Sequence, residues 1–242
     1  MRSGVREEIK KLYKYNNLSK DELISLLYEM KDEDKEILVV NKPAKLLTVA
    51  TDKEEMRTLY HEVREYIRKK NQKVFIVHRL DKDTSGIVLF AKTERMKNEL
   101  QKNWDCFTRE YIALVEGHME KKKDTITCYL RETKSLQVFV TPDKNLGKKA
   151  ITSYEVISTN KSSSMLKINI KTGRKNQIRA TMSYLRHPII GDKKYEAKSN
   201  GIGRLALHHY HLVIVHPFKN IKMEFNCKVP KTFYLGYKEV KF

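Results

Sequence analysis

Apolar residues recur along this chain with two periods, and the change from one to the other divides it. Near the start, Val5, Ile9, Leu12 and Tyr13 repeat at helical spacing, and Ser19 with Glu22 forms a capping box ahead of Leu23, Ile24, Leu26 and Leu27. The charged run KDEDKE (31–36) leads into a strand over Ile37–Val40, and a helix over 53–69 lines up Met56, Leu59, Val63 and Ile67 on one face. Two continuous apolar runs, Val74–Val77 and Ile87–Phe90, enclose the charged segment HRLDKDTSG. Met96, Leu100 and Trp104 mark a short amphipathic helix.

Beyond it the period becomes that of strands: 107–117, 124–130, 136–141, 150–157, 165–171, 205–216 and 221–229. One further helix begins just after Gly173 and runs through NQIRATMSYL. Helices punctuate the strands without alternating strictly with them. The expected class is therefore α+β, a mixed, mainly antiparallel sheet flanked by helices, with 1–35 a helical N-terminal extension and 36–242 the domain built on that sheet.

Composition narrows the function classes. A chain of 242 residues with 40% apolar content is long and apolar enough to build a real core. No apolar run approaches the roughly 18 residues that cross a bilayer, and the N-terminus lacks the apolar stretch of a signal peptide. Cys106, Cys128 and Cys227 are scattered, with no paired spacing, which suggests a reducing, cytoplasmic setting and no structural zinc. Lys and Arg number 49 against 30 Asp and Glu, a formal charge of +19. That excess attracts polyanions, above all nucleic acid. No glycine-rich phosphate loop is present, so a nucleotide cofactor is not expected.

HRLDKDTSG admits several chemistries. A charged turn between buried strands is ordinary, since loops need hydration and Gly86 permits a positive φ. As a calcium loop it fails, because Lys92 stands where the bidentate Glu is required and the flanks are strand-like. A D-x-D metal site is disfavoured by Lys82 at its centre. A lone carboxylate nucleophile, kept ionised by a nearby cation, remains. Residue chemistry leaves the choice between Asp81 and Asp83 open.

The segment resembles the RluA-type RNA pseudouridine synthases, whose signature H-R-L-D-x-x-T-S-G, apolar strand, A-K-T is matched by His78–Asp81, Thr84–Gly86 and Ala91–Thr93. Other segments agree in order over roughly residues 36 to 229. ILVVNKPAKLLTV (37–49) is similar to the N-K-P-x-G segment, with Lys45 in place of glycine. Arg109-Glu110-Tyr111-Ile112-Ala113 matches R-x-Y-x-A. Thr172-Gly173-Arg174, Gln177-Ile178-Arg179, His187-Pro188 and Gly191-Asp192 through Tyr195 resemble a third motif, and Arg204–His208 with His216-Pro217 a fourth. Lys175-Asn176 and Ala180-Thr181 depart from the usual Thr-His and Val-His.

The resemblance implies isomerisation of uridine in structured RNA, ribosomal or transfer, by a monomer needing no metal or small-molecule cofactor. Carried over, Asp81 is the nucleophile, attacking ribose C1′ or base C6. Tyr111 stacks on the uracil, Arg179 pairs with Asp81, and Arg79 fills the stack that the flipped base leaves. His78, Lys42, Arg174, Lys175 and Gln177 are the implied RNA contacts. Period-two alternation puts Arg109, Tyr111, Ala113 and Val115 on one face, and likewise His209 and His211 together, opposite His208. On a helix Arg179, one turn after Lys175, shares its face.

Overall fold

The computed structural model describes residues 35–50, 58–68, 71–199 and 201–237. The expected helices over the first thirty-odd residues, and Met56 of the expected 53–69 helix, lie outside them. The described residues fall into two compact units, one within Met1–Asn103 plus His216–Asn220, the other within Trp104–Val215 plus Ile221–Phe242.

The first unit is built on β3 (Ser85–Ala91), which pairs antiparallel with β1 (Ile37–Lys42) and with the two-residue β2 (Phe75–Ile76). All seven residues of β3 are buried. A strand covered on both faces has no reason to alternate, which accounts for the unbroken apolar run at 87–90. Helix α1 (Leu59–Arg68) turns Leu59, Val63 and Ile67 inward. Helix α2 (Glu94–Lys102) starts at Thr93, whose hydroxyl accepts the Met96 N–H at 3.1 Å, and buries Met96 and Leu100. It stops before Trp104, which the apolar spacing had assigned to it; that residue sits in a separate 3-10 turn, Trp104–Cys106, of the second unit.

The second unit is an antiparallel sheet of β4 (Thr108–Glu116), β5 (Lys123–Glu132), β6 (Val138–Thr141), β7 (Lys148–Thr159), β8 (Ser163–Ile170), β9 (Leu207–Val215) and β10 (Lys222–Asn226). Their spatial order is β10-β9-β4-β8-β7-β5-β6. Helix α3 (Gln177–Tyr184) packs on β5, β6 and β7, where Cys128, Leu130, Val138, Ala150, Ala180 and Tyr195 form one buried cluster. Every pairing of strands within the units is antiparallel, and a single isolated bridge, Leu47 to Thr58, is parallel. The α+β class follows. No described helix is long and apolar enough to cross a membrane.

Candidate active site

Between β2 and β3 the chain makes a turn that its neighbours hold rigidly. Leu80 is buried, and both its backbone groups meet one hydroxyl: its N–H donates to Thr48 Oγ1 at 3.1 Å, and that hydroxyl donates to the Leu80 carbonyl at 2.6 Å. The Thr84 N–H donates to the Asp81 carbonyl at 3.2 Å, closing a turn with Lys82 and Asp83 at its tip. From beneath, Lys42 Nζ donates to the carbonyls of Leu46 (2.7 Å), Pro43 (2.9 Å) and Lys82 (3.0 Å). Gly86 takes φ +116, a conformation open to glycine, as the chain enters β3. The outcome is a half-exposed Asp81 flanked by exposed Arg79, Lys82 and Asp83.

Two residues expected at RNA also hold the backbone of this region. Lys42 is fully buried, and an ammonium inside a protein is tolerated only when carbonyls replace its water, as three do here. It supports the turn and is not a surface cation. His78 is half-buried, and its Nε2 accepts the Leu89 N–H at 3.0 Å, so that nitrogen serves the backbone of β3.

In the second unit Tyr111 lies buried on β4, its ring stacked on that of His209 in β9 at 4.5 Å and 16°. The two strands slip register between Glu110 and Tyr111, so that Tyr111 faces His209 while Glu110 faces His211 and Tyr210 is the extra residue. A bulge of this kind breaks alternation. It corrects the expected pairing of His209 and His211 on one face: His209 stacks on Tyr111, whereas His211 Nδ1 and the Tyr210 hydroxyl both meet Glu110 Oε2, at 2.9 and 2.8 Å. His208 is wholly buried, and desolvation, aided by the charge of Arg204, pushes its pKa down to about 3.

The loop ahead of α3 is organised by Gln177. Its side-chain amide donates to Ile151 O (3.1 Å) and Thr152 Oγ1 (3.0 Å), and its oxygen accepts from the Thr172 hydroxyl (2.8 Å) and the Arg174 N–H (3.1 Å). Its amide hydrogens and oxygen are so used, and the residue is buried. Arg174 and Lys175 are exposed, as RNA contacts require; Arg174 Nε meets Lys149 O at 3.1 Å and Lys175 pairs with Glu132.

Asn176, left-handed at φ +50, separates Lys175 from the helix, so Arg179 does not share a face with Lys175 but turns inward. There Asp192 grips it bidentately, Nε to Oδ2 at 2.7 Å and Nη2 to Oδ1 at 2.8 Å. Asn176 Oδ1 accepts from Nη1 at 3.3 Å, and the Tyr195 ring lies 5.2 Å from the guanidinium. Such paired, planar contacts fix an arginine's direction as well as its charge. Asp192 depends in turn on Gly191, φ +79, where a Cβ would stand 2.1 Å from the Arg204 carbonyl oxygen.

Sequence reasoning thus gathered His78, Arg79 and Asp81 on one turn, and Arg174, Lys175 and Arg179 around the start of one helix. It missed Thr48 as a clamp and Asp192 as the partner of Arg179. Both lie in segments carrying the family resemblance, but only their contacts reveal these roles.

The profile of the family described as RNA pseudouridylate synthase matches residues 36–184. An uncharacterized RNA pseudouridine synthase of Bacillus subtilis, YjbO, is 33% identical over 215 residues, 86% of this chain and 73% of that one. The ribosomal large subunit pseudouridine synthase D of Blochmanniella floridana is 30% identical over 220 residues, 82% and 68% of the two chains. Among solved structures, human RNA pseudouridylate synthase domain containing 4 shares the fold, with a TM-score of 0.75 at 20% identity over 91% of this chain and 98% of that one. The chain belongs to the RNA pseudouridylate synthase family, and is an isomerase that forms pseudouridine in RNA.

Proposed function

We propose that this enzyme isomerises a uridine in structured ribosomal or transfer RNA through Asp81, after extruding the base from its stack. The observation that carries the reading is the immobilised turn: Thr48 and Lys42 grip the residues on either side of Asp81, while Asp83 stands exposed at the tip. A nucleophile gains from being held in one position, since orientation entropy is then spent in folding and not in reaction.

In this scheme the Asp81 carboxylate attacks ribose C1′ or base C6. The N1–C1′ bond breaks, the uracil turns, C5 bonds to C1′, the bond to the Asp81 carboxylate breaks so that the carboxylate is released, the C5 proton leaves and N1 gains one. No oxidant, phosphate or activated water is consumed. Extrusion costs a few kcal/mol. Arg79, exposed beside Asp81, offsets part of it by filling the vacated stack, and Tyr111 offers a ring face worth about 1–3 kcal/mol to the flipped base. Arg179 is the third catalytic residue of the scheme, and its bidentate pairing with Asp192 sets its direction. Arg174 and Lys175 contact the RNA backbone. The enzyme works as a cytoplasmic monomer, with 36–242 as its catalytic domain and 1–35 as an extension.

The test is pseudouridine formation in ribosomal and transfer RNA by the wild type, Asp81→Asn and Asp83→Asn. Asp81→Asn is expected to keep its fold and lose all product, while Asp83→Asn keeps most of it. Equal loss in both variants would remove Asp81 from its role.

A further inference from the structure

Arg109, two residues before Tyr111 on β4, is the largest fully buried side chain of the described residues, with 1% of its surface exposed. Among the described residues its guanidinium makes one hydrogen bond, a long one, Nη2 to Asp105 Oδ1 at 3.4 Å, and that carboxylate is itself 63% exposed. Nε and Nη1 are enclosed and have no acceptor among the described residues. Burial lowers the pKa of the guanidinium, yet an arginine stays charged at neutral pH. A buried cation with two empty donors is costly, and proteins keep such a group when an acceptor arrives from elsewhere.

Three features say what that acceptor is. Gly173, exposed and without a side chain, lies over Nη1, where a Cβ would come within 3.3 Å. Its turn carries exposed Lys171 and Arg174, a basic approach suited to an anion. Asp105, on the 3-10 turn Trp104–Cys106, holds one oxygen near Nη2 as an anion would. We infer that Arg109 is a phosphate-binding residue for the RNA chain, with the Asp105 carboxylate as a place-holder that a backbone phosphate displaces. By strand geometry Arg109 stands about 7 Å from Tyr111 along one face, so the phosphate belongs to a nucleotide next to the one Tyr111 receives. The inference rests on the proposed RNA reaction for its setting, but its test does not use turnover.

Trp104, whose ring lies 5.7 Å from the guanidinium, is the sole tryptophan of the chain, and its fluorescence reports on this place directly. The experiment titrates the full chain with a single-stranded oligouridine of about 12 nucleotides over a series of salt concentrations. The wild type is expected to bind with a change in Trp104 emission. Arg109→Met should bind about ten-fold more weakly, with a log–log salt slope shallower by about 0.7, no emission change, and a melting temperature no lower than the wild type.

Asp105→Asn keeps the test decisive if Arg109→Met folds poorly. It should bind more tightly than the wild type, and the gain should vanish in the double variant, which separates place-holding from a general charge effect. Unchanged binding in Asp105→Asn, or a silent Trp104, overturns the site. So does an Arg109→Met that melts lower while binding as before, since that outcome makes Arg109 purely structural. Pseudouridine formation is measured alongside: a chain that forms none yet binds through Arg109 loses only the catalytic reading, and an active chain indifferent to Arg109 loses only the phosphate site.

Discussion

Asp81 and Asp83 stand two residues apart, and their difference lies in their neighbours. Thr48 satisfies the N–H and carbonyl of buried Leu80, and Lys42 holds the carbonyl of Lys82, so the backbone on both sides of Asp81 is fixed. Replacing Thr48 by Val keeps the shape and removes the hydroxyl, leaving two buried polar groups without a partner at roughly 1–3 kcal/mol each. Thr48→Val is expected to lose about 2–6 kcal/mol in urea denaturation and to lower turnover more than RNA affinity. Unchanged stability would show that the clamp carries no weight. Lys45 illustrates the same dependence on backbone detail. It takes φ +67, a left-handed conformation that costs a residue with a Cβ energy.

At the scale of elements, α3 is held at its start by side chains in place of a conventional cap. Asn176 at its N-cap is left-handed and makes no side-chain capping bond, and Gln177 supplies the anchorage by joining the 172–174 loop to β7. Gln177→Met keeps the volume and deletes four hydrogen bonds, stranding Thr172, Arg174 and Thr152 groups. The expected cost is about 3 kcal/mol, with α3 amides exchanging faster than those of β4 and β8 in hydrogen-exchange measurements. Uniform exchange would contradict a local role. The bulge between β4 and β9 is the other decisive local feature, because it divides the histidines that alternation had placed together.

For the whole molecule, a half-buried carboxyl and a buried imidazole oppose one another in pH dependence. Glu62, on the first turn of α1, is raised to about 7 by burial and then by the charge of Glu65. Its folded pKa lies above the ordinary 4.5, so its contribution favours the fold at low pH and is lost as pH rises through that window. His208 is depressed from 6.5 to about 3, so the unfolded chain takes up a proton that the fold refuses, and stability falls as pH drops below 6.5. That slope is about 1.4 kcal/mol per pH unit. Between 4.5 and 6.5 the two effects act against each other. Glu62→Gln should therefore be more stable than the wild type near pH 8, with the advantage gone near pH 5. Equal shifts in urea midpoint at both pH values would exclude the titration of Glu62.

Sequence alone determined what depends on local pattern. Period and apolar runs located the described strands and helices to within a few residues, the charge pointed to a polyanion, and the order of short motifs identified the family. These are legible because propensity, alternation and motif spacing are properties of neighbours in the chain. Tertiary structure decided what each polar residue does. Buried Lys42 and Gln177 and half-buried His78 hold backbone groups of the fold, work that their letters do not show. Arg179 turned inward because a left-handed Asn176 starts its helix, and Asp192 met it from 13 residues away. Arg109, a motif and strand residue in the sequence, became a buried cation with two donors that meet no acceptor among the described residues. Burial and long-range pairing are set by the whole chain, and no local pattern encodes them.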